Sequence, residues 1–158
     1  MRGNADRAES SENRDRFWES KSLEEMSPDE WERLCDGCGR CCLHKLEFED
    51  TGEVHYTAVA CRLLDLRRCR CRDYENRLER VADCLPLSPE TLDEADWLPR
   101  TCAYRLRYEG QALPEWHPLV SGKRESVHAA GISIRNRAIS ESDVDVEDLE
   151  PYILPVDF

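Results

Sequence analysis

A small single domain of the α+β class, short helices and one β-hairpin gathered round a cysteine-rich centre, is predicted from three features of the chain. Helix-start chemistry recurs ahead of short segments only, an alternating apolar pattern interrupted by a turn occurs once, and nine cysteines punctuate the same stretch. At 158 residues the chain fits one domain able to bury an adequate core, so the cysteines exceed what ordinary stability asks for.

Residues 1–16 are polar and without hydrophobic period, a composition that cannot offset the entropy of ordering, and are read as a disordered tail. Order is expected from Phe17 and Trp18. Ser27-Pro28-Asp29-Glu30 combines an N-cap serine, proline at the first helical position and a capping-box glutamate, predicting a short helix through Trp31 and Leu34. That helix delivers Cys35 at its end, where Gly37 and Gly39 permit tight turns. Leu46-Glu47-Phe48 and Val54-His55-Tyr56-Thr57 alternate around Asp50-Thr51-Gly52, which reads as a hairpin. Cys61 to Tyr74 has no clean period and is expected to wrap the centre as irregular chain. Ser88-Pro89-Glu90 and Pro99 to Gly110 predict two further short helices, and Ile132-Ser133-Ile134 is strand-like. The main domain is therefore placed at 17–140. Residues 141–158 form an acidic tail, solvated or docked only by Val144, Leu149 and Ile153.

The nine cysteines argue for metal ligation over disulfides. Their number is odd, Met1 to Arg7 carries no apolar signal segment, and four of them lie within the eight residues from Cys35 to Cys42. A reducing, cytoplasmic location is expected. Cys35-x-x-Cys38-x-x-Cys41-Cys42 is the strongest signal, because two-residue spacing on a glycine-bearing turn lets sulfurs converge with backbone amides pointing at them. Cys61, Cys69, Cys71, Cys84 and Cys102 supply the ligands that close one or two four-coordinate sites for zinc or iron, with an iron-sulfur cluster as the alternative. Two closed sites use eight thiols. The ninth is then a core thiol, a bridge or an open reactive position; Cys41 and Cys42, being adjacent, compete for that place, and the isolated Cys84 and Cys102 are the less secure ligands. His44 completes a mixed site or supports one from outside, whereas His55, His117 and His128 read as surface or packing residues. Trp18, Trp31, Trp97 and Trp116 read as core anchors.

Thirty-four acidic against 22 basic residues give a formal charge of −12, a field that repels nucleic acid, and no apolar run is long enough to span a bilayer. Within that acidic chain, residues 60–80 hold seven arginines against four acids, positive charge suited to thiolate sites. The departure from the ferredoxin run, with Cys42 directly after Cys41 and no following proline, speaks against simple electron transfer. Signed catalytic motifs are missing, so the residues name no reaction.

Longer stretches carry a resemblance: Asp29-Glu30-Trp31-Glu32, the run Cys-Asp-Gly-Cys-Gly-x-Cys-Cys-Leu-His-Lys-Leu from Cys35 to Leu46, Val59-Ala60-Cys61-Arg62, Cys69-x-Cys71-Arg72-x-Tyr74, Trp97-Leu98-Pro99-x-Thr101-Cys102-Ala103-Tyr104-Arg105 and Leu113-Pro114-x-Trp116-His117-Pro118-Leu119. Over about residues 17–140 these closely resemble the YcgN-like bacterial proteins, within the broader group named for a CxxCxxCC motif and described as zinc- or iron-chelating. The resemblance implies metal binding and carries no reaction or substrate. Three functional classes follow: a metal chelator, a redox or metal-cluster enzyme or accessory subunit with one open thiol, and a zinc-held acidic adaptor that takes a basic protein partner on 141–158.

Overall fold

Two apolar clusters, joined by the cysteine motif itself, organise the chain. The computed structural model describes residues 16–155 and 158, so the expected polar tail lies outside the described residues except at Arg16. Helix α1 (Phe17–Ser20) buries Phe17 and Trp18, where order was expected to begin. Helix α2 (Pro28–Arg33) starts as its sequence dictates: the Ser27 side chain accepts from the Glu30 amide, and the Glu30 carboxylate accepts from the Ser27 amide. The first cluster gathers Phe17, Trp18 and Leu34 with Leu92, Leu98, Ala103 and Tyr104, and Trp31 and Trp97 pack against it.

The hairpin forms at the predicted place. Strands β1 (Leu43–Glu47) and β2 (Val54–Ala60) pair antiparallel, with Leu46 opposite His55 and Glu47 opposite Val54. Gly52, at φ 70°, closes the turn in a conformation most other residues resist. Cys61 to Tyr74 is more regular than expected, because Leu64 pairs with Cys71 and Asp65 with Arg70 in a two-stranded antiparallel ladder, β3 (Leu64–Asp65) and β4 (Arg70–Cys71). A two-residue strand is too short to show a period. Helix α3 (Arg77–Arg80) follows.

Two expected elements shift. Ser88 heads a turn closed on Thr91, and the helical residues come later as a 3₁₀ turn at Leu92–Glu94. Helix α4 (Ala103–Tyr108) begins at Ala103 and not at Pro99, so Cys102 becomes its N-cap. Ile132 to Ile134 is not a strand: its amides bond the Val127 and Cys38 carbonyls, and the paired strand is β5 (Ile139–Ser140), parallel to β2. The second cluster holds Leu43, Tyr56, Ala60, Leu64, Cys69 and Ile134. In the acidic segment Leu149 is buried, Ile153 bridges to Thr57, and the Leu154 amide bonds the Tyr56 carbonyl, so this segment lies along β2. Among the described residues no helix is long and apolar enough to cross a membrane.

Helices α5 (Pro118–Ser121) and α6 (Ser126–Ala129) complete the chain, and His117, the N-cap of α5, is fully buried. Its Nδ1 accepts from the Leu119 amide at 3.0 Å and its Nε2 donates to the Leu34 carbonyl at 2.8 Å, an arrangement open only to the neutral ring. Burial holds its pKa below the ordinary imidazole value. Below about pH 6.5 the unfolded chain therefore binds a proton that the folded ring resists, and stability falls as the pH drops. Urea unfolding of wild type and His117→Asn as a function of pH is expected to show a gap that narrows on acidification, since asparagine cannot be protonated and the comparison cancels effects on the thiols. His117→Leu orphans the Leu34 carbonyl and is expected to cost about 1–3 kcal/mol.

Candidate metal centre

The motif runs from the fully buried Leu34 of the first cluster to the buried Leu43 of the second. Between them the chain turns twice through left-handed glycines, Gly37 and Gly39, both at φ 76°. A 3₁₀ turn at Arg40–Cys42 then feeds β1. Two bonds tie this loop to distant chain: the Ile134 amide donates to the Cys38 carbonyl and the Cys61 amide to the Cys42 carbonyl, each at 2.9 Å.

All nine cysteines are free, and the fold sorts them. Cys35, Cys38 and Cys41 share one electrostatic neighbourhood, and Cys102 joins it from the start of α4, sixty residues on. The Cys42 thiol feels the charge of Cys41, Cys61 and Cys35, Cys61 feels Cys71, and Cys84 feels Cys61, Cys71 and Cys41. Cys69 stands apart. It packs in the second cluster, in a left-handed conformation at φ 56°, with its sulfur bonded to Ser133. Among the described residues no group of three or more cysteine, histidine or acidic side chains is placed so that it could hold a metal ion.

The donor chemistry nevertheless suits a metal. At Cys35, Cys38 and Cys61 a backbone amide two residues on (Gly37, Arg40 and Leu63) is aimed at the sulfur, and at Cys102 the amides of Arg105 and Tyr104 are, the arrangement that stabilises thiolate charge. Burial pushes Cys38, Cys61, Cys69, Cys84 and Cys102 up, Cys102 to about 12, and the sulfur of Cys35 goes the same way although that residue is exposed. Cys41 goes the other way: the Cys42 thiol donates to its sulfur, and this bond with the nearby Lys45 ammonium pulls it down. The same bond pushes Cys42 up.

Three charged residues that pattern reasoning passed over shape this site. Lys45 reaches back to donate to the Cys41 and Leu43 carbonyls at 2.9 and 2.7 Å, with its ammonium over the Tyr56 and Trp97 rings. Arg40 is buried, donating to the Ile132 carbonyl and the Thr101 hydroxyl and lying 4.0 Å from the Phe158 ring centre. Asp36 is 7% exposed and its Oδ1 accepts from the Cys38 amide at 2.9 Å. An Asp followed by Gly is a turn signature, and this bond is the signal that was available. The arginines of 60–80, expected near the thiolates, are partly committed elsewhere: Arg80 pairs with Asp73, Arg77 lies over the Tyr74 ring, and Arg62 donates to the Arg80 carbonyl. His44 meets Glu141 at 2.5 Å, and Glu141 also accepts from the Arg62 amide, which fastens the acidic segment beside Cys61.

The model of the CxxCxxCC family, described as "Putative zinc- or iron-chelating domain", matches residues 34–103. The chain is 58% identical over 138 residues to a UPF0260 protein of Parvibaculum lavamentivorans, covering 87% of this chain and 90% of the relative. UPF0260 proteins of Sinorhizobium medicae and Cellvibrio japonicus are 59% and 56% identical, over 87% of this chain and 89% and 94% of theirs. No solved structure matches.

The two glycines separate backbone strain from packing. A Cβ on Gly37 meets nothing within 4 Å, whereas one on Gly39 falls 2.8 Å from Ile134 Cγ1. Gly37→Ala is expected to cost roughly 1–2 kcal/mol from the left-handed conformation alone, and Gly39→Ala about 1–3 kcal/mol more because the second cluster must shift. Urea denaturation of the two variants gives the difference directly.

Proposed function

The chain belongs to the UPF0260 family, and from that premise we propose that it chelates zinc or iron through two groups of thiols in a reducing cytoplasm. The observation that supports this reading is the donor chemistry: Cys102, at the start of α4, lies in the same electrostatic neighbourhood as Cys35 and Cys41, and backbone amides are aimed at the Cys35, Cys38 and Cys102 sulfurs. One centre draws on Cys35, Cys38 and Cys102, with Cys41 at its open side. A second draws on Cys42, Cys61, Cys71 and Cys84. In this scheme the adjacent Cys41 and Cys42 serve different centres, and Cys69 is the ninth thiol, a packing residue.

These residues would hold the ion as thiolates, and its charge would offset the burial that otherwise keeps them protonated. A closed zinc site supplies structure; an iron-sulfur centre supplies redox chemistry. A second reading, an open reactive thiol in a redox or metal-cluster protein, draws on Cys41, which is exposed and hydrogen-bonded by its neighbour's thiol.

Elemental analysis and an absorption spectrum of the purified full chain are expected to show stoichiometric metal. A colourless zinc-loaded sample selects zinc, and a broad visible band with sulfide selects an iron-sulfur centre. A folded, metal-free chain with nine reduced thiols would overturn the proposal. Cys35→Ser, Cys38→Ser and Cys102→Ser are expected to lose metal and stability together, while Cys69→Ala keeps full metal content at a modest stability cost. Because loading releases thiol protons, affinity measured by chelator competition is expected to weaken as the pH falls.

A further inference from the structure

The acidic segment is fastened at a few points, and the last of them lies against the cysteine loop. Leu149 is buried, Ile153 bridges antiparallel to Thr57, and the Leu154 amide donates to the Tyr56 carbonyl at 2.8 Å. Around these points Asp145, Val146, Glu147, Asp148 and Glu150 are exposed. A stretch with so little apolar burial and so few backbone bonds opens more readily than the clusters it rests on, and does so without unfolding the rest of the chain.

Phe158 supplies the final anchor. Its half-buried ring packs on the second cluster, with the Arg40 guanidinium carbon 4.0 Å from the ring centre and the Tyr56 ring 5.2 Å away at an interplanar angle of 62°. A guanidinium against an aromatic face and an edge-on aromatic pair both attract, the first more strongly when water is excluded. The two groups under this ring are neighbours of the thiols. Arg40 lies between Cys38 and Cys41 in the chain and donates to Thr101, the residue before Cys102. The charge of Cys38 acts on Arg40, and those of Cys41, Cys102 and Cys38 act on Tyr56. With the ring in place Arg40 is 9% exposed and Cys38 6% exposed.

We propose that Leu149, Ile153, Leu154 and Phe158 make the acidic segment a releasable strap, whose aromatic anchor covers Arg40 and Tyr56 and limits access to Cys38. Solutes coming from that side meet the ring before they meet the thiol. Local release of the strap uncovers this side of the loop while both apolar clusters stay folded. That the solute so admitted is a metal ion rests on the chelating function proposed above; the covering itself does not.

The test uses the full chain as purified, in reducing buffer. Alkylation by N-ethylmaleimide is followed cysteine by cysteine with mass spectrometry, and the rate at which the dye 4-(2-pyridylazo)resorcinol takes up zinc is measured on zinc-loaded samples. In Phe158→Ala, Cys38 is expected to react about tenfold faster, the scale of one cation–π contact and one aromatic pair lost together. Leu149→Ala loosens the strap at its other end and is expected to act in the same direction. Cys69, as deeply buried but held through Ser133, keeps its wild-type rate. Phe158→Tyr retains the ring and with it the slow reaction of Cys38, and zinc transfer to the dye accelerates in the same variants as alkylation does. An unchanged Cys38 rate in Phe158→Ala would overturn the strap, and so would equal acceleration of Cys38 and Cys69, which marks global destabilisation. Selective acceleration of Cys38 in a protein that holds no zinc would overturn the chelating function and leave the strap standing; an unchanged Cys38 rate in a stoichiometrically zinc-loaded protein would do the reverse.

Discussion

Eight residues from Cys35 to Cys42 are stretched between two leucines that belong to different hydrophobic clusters, and this constraint organises everything else. Leu34 is fully buried against Phe17, Leu98 and Tyr104; Leu43 is buried against Tyr56, Leu64 and Ile134. A loop anchored at both ends by apolar burial loses little further entropy when its interior is ordered, so its polar contents can be held at defined places. Gly37 and Gly39 make the path short enough, and at Gly39 the closeness of Ile134 leaves no room for a side chain. Burial of leucines thus positions thiols.

Backbone hydrogen bonding extends this frame outward. His117 fastens α5 to the Leu34 carbonyl, Ile134 bonds the Cys38 carbonyl, and Cys61 bonds the Cys42 carbonyl, so three remote segments report to the one loop. The electrostatic cost is concentrated there as well: a buried carboxylate, a buried guanidinium and several thiols raised by desolvation share a small volume. Such a volume is poorly adapted to being a plain core, in which apolar residues of similar size would pack at lower cost.

Much of the local architecture was legible beforehand because its causes are local. The capping box at Ser27 and Glu30, the alternation across 46–59 and the turn at Gly52 depend on neighbours within a few residues; each formed, with the hairpin strands running on to Leu43 and Ala60. Ile132 to Ile134 misled because two isoleucines around a serine mimic a strand, while their actual partners are the Cys38 carbonyl and the second cluster. Helix α4 misled in the other direction. Pro99 is a common first helical residue, but it is buried with Leu98 in the first cluster, so the helix waits until Cys102.

The same division runs through the site. Residue types and spacing determined by themselves that this is a cysteine-dense chain with a converging four-thiol motif, because sulfur chemistry and two-residue turns are properties of the residues concerned. Which thiols feel one another's charge depends on the tertiary fold. Cys102 comes within electrostatic reach of Cys35 across more than sixty residues because α4 packs on the first cluster, and the left-handed backbone of Cys69 and its bond to Ser133 place its sulfur in the second cluster. The isolation of Asp36 Oδ2 is likewise a tertiary fact. A one-residue pattern cannot tell whether the second oxygen of a carboxylate will find a donor, since that depends on where every other polar group in the fold has already been spent.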